Sequence, residues 1–192
     1  MKKARASYAS AALFLTITAA LFSQERALKP IEYTKEGGLQ FPDYSKWVFI
    51  GSGMSNQANP NPRFSNIFVD PAAYDQYMKK GVWPDRTIIF AEKRAAASML
   101  PVTPNGGWSQ TGELLGAELE VKDAAKGGWT FYEADRGERI GKPAAKSMPC
   151  YSCHAEKSAV DNTFVQFYPR LVEAAKRNGT YKESTASSSV TK

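Results

Sequence analysis

The sequence predicts an α+β fold: a mostly antiparallel β-sheet with a few helices, the last of them at the C-terminal end. Two observations carry that expectation. Short runs rich in β-branched and aromatic residues, separated by Gly, Pro and Asn, recur between residues 44 and 135, and a single helical signature interrupts them. Strands joined by turns make antiparallel sheets, whereas parallel strands need a crossover, usually a helix, between each pair.

Taken in order, residues 24–40 are mixed and polar and read as an ordered lead-in. "YSKWVFIGSGM" (44–54) reads as a buried strand that ends in a turn at its glycines, and 52–63 as a loop by its Asn, Pro and Gly. "FSNIFVD" (64–70) is strand-like. In "DPAAYDQYMKKG", Asp70 can cap, Pro71 suits the first helical position, Lys79 and Lys80 close the last turn, and Gly81 ends a short helix. A turn and a strand follow in 83–93, a strand from Leu114 to Val121, and another in 127–135. Trp47, Phe49, Phe68, Phe90, Trp129 and Phe131 fall in these strands and read mostly as core. After residue 154 the spacing of Phe164, Phe167, Tyr168, Leu171 and Val172 is helical, with Asp161 as a cap and Pro169 kinking or dividing the helix.

With 192 residues, 43% of them hydrophobic, the chain suits one folded domain, placed at 24–180. Residues 1–23 read as a secretory signal peptide. Lys2, Lys3 and Arg5 precede the apolar run Ala11–Phe22, which is short of the roughly 20 residues a membrane span needs, and Ala20 and Ser23 are small enough for cleavage. The mature protein is expected to be soluble and exported, with no membrane segment after cleavage. Loss of the leader takes the formal net charge from +6 to +3. No Lys/Arg stripe suits nucleic acid. Residues 181–192 form a polar, low-complexity tail, expected to be disordered.

The chemistry is concentrated in "CYSCH" (150–154), which holds both cysteines and the only histidine of the chain. In C-x-x-C-H the two thiols can form thioethers with the two vinyl groups of one haem, and the adjacent imidazole reaches its iron. A zinc site needs about four ligands, and beyond His154 the chain has neither Cys nor His to give. A thioredoxin-like pair belongs in an early βα turn, and a disulfide across two residues would constrain the unfolded chain little. The expected cofactor is one haem c attached through Cys150 and Cys153, with His154 as the metal ligand. A single histidine excludes bis-histidine ligation. Met148 lies too close to the motif to reach the opposite face of the haem. Met54, Met78 and Met99 remain candidates, though such methionines more often fill cores. The preferred expectation is an open or weakly occupied sixth position.

"WVFIGS" (47–52), "FSNIFVDPAAYDQYMKKGVWPDRTIIFAE" (64–92), "GAELEVKD" (116–123), "GWTFY" (128–132) and "CYSCHAEKSAVDNTFVQFYP" (150–169), in that order, resemble the cytochrome P-460 and cytochrome c′-beta family. The resemblance implies a β-rich monohaem domain, usually a homodimer, exported to the periplasm, with a small diatomic or nitrogenous ligand and a periplasmic redox partner. Cytochromes P-460 oxidise hydroxylamine and bond a lysine to the macrocycle. The matching position, just before the family's glutamate at Glu92, is Ala91, which has no amine. Lys93 shares its strand face as a substitute, although a surface lysine at a strand end is the plainer reading. Cytochromes c′-beta lack the crosslink and bind nitric oxide or carbon monoxide beneath an apolar wall, for which Phe64, Phe68 and Phe90 are the candidates. Hydroxylamine oxidation would want a distal base, and Glu133 and Asp135 are the nearest carboxylates to consider. The expected function is thus a gas-binding haem protein. The alternatives are a hydroxylamine-oxidising enzyme and a Met-ligated electron carrier.

Overall fold

A computed structural model describes residues 26–55, 61–99, 102, 104 and 106–183; the expected leader, its cleavage point and nearly all of the polar tail lie outside these residues. Seven strands form one sheet: β1 (Leu39–Gln40), β2 (Val48–Ser55), β3 (Arg63–Val69), β4 (Ile88–Ser98), β5 (Trp108–Asp123), β6 (Gly128–Asp135) and β7 (Ile140–Pro143). Their order is β1-β7-β6-β5-β4-β3-β2, and every neighbouring pair is antiparallel. From β2 to β7 the chain is a meander, with helix α1 (Pro71–Lys80) inserted between β3 and β4. Helices α2 (Pro149–Lys157) and α3 (Pro169–Arg177) follow the last strand. The α+β class expected from the sequence is the class observed.

Helix α1 has the ends its sequence demands. The Asp70 carboxylate accepts from the backbone N–H groups of Ala72 and Ala73 at 2.8 and 3.3 Å. At the other end Gly81 takes a left-handed φ of 70° and donates its N–H to the Tyr77 carbonyl.

Side chains alternate across the sheet, so residues paired across strands share a face. On one face Val69, Ile89 and Trp129 pack with Tyr77 and Trp83, and with Val160, Val165, Leu171 and Ala174 from the C-terminal region. On the other, Phe90, Leu119, Val121 and Tyr132 pack beneath Leu39 and Phe41. The lead-in is therefore part of the domain. Leu39 is fully buried, and the Tyr33 hydroxyl donates to Asp123 at 2.8 Å. The second face also buries a satisfied polar network. Glu92 accepts from Tyr44 (2.9 Å), from Asn66 (3.0 Å) and in a bidentate fork from Arg94 (2.9 and 3.0 Å).

Three expectations need correction. β2 does not end at its glycines but runs through them to Ser55 as the edge strand of the sheet, which leaves Phe49 55% exposed rather than in the core. Residues 56–60 of the expected loop lie outside the described residues. β5 starts at Trp108 rather than Leu114, because ladder pairing with β4 overrides a weak local pattern. After residue 154 the helix is not continuous. α2 stops at Lys157, Asp161 and Asn162 take positive φ (47° and 57°), a single 3₁₀ turn covers Val165–Phe167, and α3 starts afresh with Pro169 in its first turn. Asp161 caps nothing there; its carboxylate pairs with Lys122.

Among the described residues, no helix is long and apolar enough to cross a membrane.

Candidate haem site

The cysteine motif forms the body of α2. Residues three apart on a helix share a side, so Cys150 and Cys153 present two free thiols together, the first partly buried and the second exposed. α2 buries none of its residues and has no side-chain N-cap. Tyr151 fastens it to β6: its ring meets Phe131 edge-on at 4.7 Å, its hydroxyl accepts the Phe131 N–H, and it donates to the Ala144 carbonyl, both at 3.3 Å.

His154 lies between two aromatic rings, Phe131 at 4.5 Å and Phe164 at 4.4 Å. Its Nδ1 stands 2.8 Å from the Asn162 carbonyl, which can only accept, so Nδ1 carries the proton and Nε2 keeps its lone pair. Burial pulls the imidazole's pKa below its ordinary value, against the Asn162 hydrogen bond and the Glu118 charge. The ring is thus neutral at pH 7, the form that binds metal.

The ring borders a cavity of about 240 Å³ between the sheet and the C-terminal segment. The sheet supplies Ile50, Ile67, Ile89 and Ala91, and the opposite wall is Phe164, Tyr168 and Leu171. Two carboxyl side chains also face it, Glu118 and Glu120. Glu118 is ion-paired with Lys93. Glu120 is different. Its side chain as a whole keeps 24% exposure, while Oε2 is shut off from solvent with no hydrogen-bond partner. Burial, helped by the Glu118 charge, pushes its pKa up to about 8. The 3.7 Å approach of Glu120 Oε2 to His154 Nδ1 therefore joins two neutral groups and is no ion pair at neutral pH.

Phe64, Phe68 and Phe90 are on the wrong face to form a wall over this cavity. Their cross-strand partners are Arg94, Phe90 and Leu119, whereas the cavity row is Ile67–Ala91–Glu118 and Val69–Ile89–Glu120. Period two separates the rows: a side chain one residue away in sequence is on the other side of the sheet. The sheet's apolar side of the cavity is aliphatic instead, Ile50, Ile67, Ile89 and Ala91. Glu133 and Asp135 share the cavity's face but stay exposed at its margin. The carboxyls that reach the cavity, Glu118 and Glu120, were legible only as the alternation of "ELEVKD". Lys93 is mid-strand and its side chain 19% exposed, not a free lysine at a strand end. Met54 pairs with Phe64 on the far face, Met78 packs in the α1 core, and Met99 sits by Gly107 at the far end of β4.

A family model for cytochrome P460 matches residues 41–165, from the buried Phe41 through the C-x-x-C-H motif to the 3₁₀ turn. The chain belongs to the cytochrome P460 family. No curated protein matches it. Membership makes it a haem-binding cytochrome, and the residues fit that group: two free thiols on one side of a helix, a neutral imidazole with Nε2 available, and a shielded Glu120 oxygen left without a partner beside the same space. Within the cytochrome P460 match, Ala91 lines the cavity where the resemblance places the crosslinking lysine, and Glu92 points to the opposite face, into the network with Arg94.

Proposed function

We propose that this chain is an exported, periplasmic c-type cytochrome whose single haem, held by Cys150 and Cys153 and ligated by His154, keeps an open sixth position for a small neutral ligand such as nitric oxide. The observation that carries this reading is the composition of the cavity wall. Among the described residues lining it there is no methionine, and His154 is the only histidine of the chain. The aliphatic side chains of Ile50, Ile67, Ile89 and Ala91 offer no hydrogen bonds to water or anions, whereas a neutral diatomic loses little on entering. The bound haem supplies the iron and its redox chemistry; the chain supplies the donor, its orientation and the dry wall. The exposed Phe49 on the edge strand β2 suits burial against a second copy in a homodimer.

A second reading has its own support. Glu118 and Glu120 stand beside His154, and Lys93 reaches into the same row. Carboxyls so placed could accept protons from an N–H or O–H substrate, as hydroxylamine oxidation requires. One experiment separates the readings: the optical spectrum of the reduced, haem-loaded protein with and without carbon monoxide, together with the mass and spectrum of the haem peptide. High-spin reduced iron that takes up carbon monoxide, on a peptide bonded only through two thioethers, is the expected result. A third bond to Lys93 would establish the enzyme reading, and a low-spin spectrum indifferent to carbon monoxide would end both.

A further inference from the structure

Between α2 and the 3₁₀ turn the chain makes a four-residue turn, Val160–Thr163, closed by the Thr163 N–H donating to the Val160 carbonyl at 2.7 Å. Both central residues have positive φ, 47° at Asp161 and 57° at Asn162. Glycine is the usual choice for such a turn, and Asn and Asp are the side chains that tolerate it best. Strained backbone of this kind persists only where its surroundings over-determine it.

Here they do, from three separate elements. The Asp161 carboxylate takes a salt bridge from Lys122 of β5 at 2.7 Å and the indole N–H of Trp129 of β6 at 3.3 Å. The same Lys122 ammonium donates to the Trp83 carbonyl at 2.7 Å. The Trp83 indole N–H in turn donates to the Thr163 hydroxyl at 2.9 Å, and that hydroxyl donates to the Val160 carbonyl at 2.7 Å. The product of this bracing is one exposed acceptor: the Asn162 carbonyl, aimed at His154 Nδ1. Returning Asn162 to the right-handed region would swing that carbonyl off the ring.

We propose that the Asp161–Asn162 turn, clamped by Lys122, Trp129 and Trp83, is a positioning device for His154 that sets its tautomer, its orientation and its strength as a donor. The inference rests on the proposed role of His154 as axial ligand. A hydrogen bond at Nδ1 makes Nε2 a stronger donor to the metal, and outer partners of this kind are worth about 10–100-fold in metal affinity or activity. Lys122 and Asp161 do not line the cavity beside His154 and act only through the turn.

The test uses the haem-loaded protein and reads the iron–histidine stretching band of the ferrous state and the midpoint potential. Asp161→Ala and Lys122→Ala should lower the band frequency and raise the potential, because a weaker donor favours ferrous iron; Lys122→Arg should restore both toward wild type. Asn162→Gly keeps the carbonyl and accepts positive φ, so it should leave both readings unchanged, whereas Asn162→Val should move them as Asp161→Ala does. This pair decides the matter if an alanine variant fails to load haem. Alanine and valine variants that melt earlier but keep the wild-type band and potential would reduce the clamp to a folding role and overturn the inference alone. A colourless wild-type protein would overturn the proposed function beneath it.

Discussion

At the scale of single residues, Glu120 is the group with the most to reveal. Its carboxyl is ordinary when the chain is unfolded and binds its proton up to about pH 8 when folded, because ionising it would leave a charge with no partner. The folded state thus holds the extra proton between about pH 4.5 and 8, so the stability attached to Glu120 is complete below that window and is lost as pH rises through it. Melting temperature should fall with pH across this range, and Glu120→Gln should flatten the slope; an equal slope in the variant would place the titration elsewhere. Residue by residue, the sequence spoke clearly where the chemistry was local. Cys150, Cys153 and His154 lie within five positions of one another, so a single helix brings them together without help from the rest of the fold. Glu118 and Glu120 were harder, because alternation shows that two residues share a face without saying which face meets His154. The same ambiguity of one residue sent Phe64 and Phe90 to the far side of the sheet.

At the scale of elements, β2 and the segment before α3 meet at one point that no local pattern could announce. A Cβ built on Gly51 would lie 2.5 Å from the Tyr168 ring, which also walls the cavity. The glycine is there for close approach and not for a turn, which is why a reading that ended the strand at the glycines failed. Gly51→Ala should push Tyr168 from its seat at a cost of roughly 1–3 kcal/mol, measured by denaturant unfolding. A variant as stable as wild type would mean the ring has room to yield. Elements with strong end signals were legible: Asp70, Pro71 and Gly81 bound α1 as its sequence proposes. The region after α2 was not, because the side chains that clamp Asp161 and Thr163 come from β5, β6 and the loop after α1, far away in the chain.

At the scale of the whole molecule, the sheet and its two cores are built without the motif proposed to hold the haem. The cores of Phe90, Leu119 and Tyr132 on one face and of Trp83, Ile89 and Leu171 on the other contain no residue of α2. α2 itself is nine residues, shorter than the roughly 12–15 at which an isolated helix becomes even marginal in water. It is tied to the fold through Tyr151, His154 and the Lys157 carbonyl, which accepts from the Gln166 amide at 2.9 Å. A cofactor tethered at Cys150 and Cys153 and ligated at His154 would therefore tie the least secured helix to the most secured sheet. Anything that binds only the folded state stabilises it. In the haem-free Cys150→Ala/Cys153→Ala protein, amide hydrogens of residues 149–157 should exchange near the rate of an open segment, while those of β4, β5 and β6 stay protected. In the loaded wild type the helix should join the sheet in protection. Equal protection of α2 in both forms would show that the polypeptide alone secures it, and that the haem is received by a site already closed.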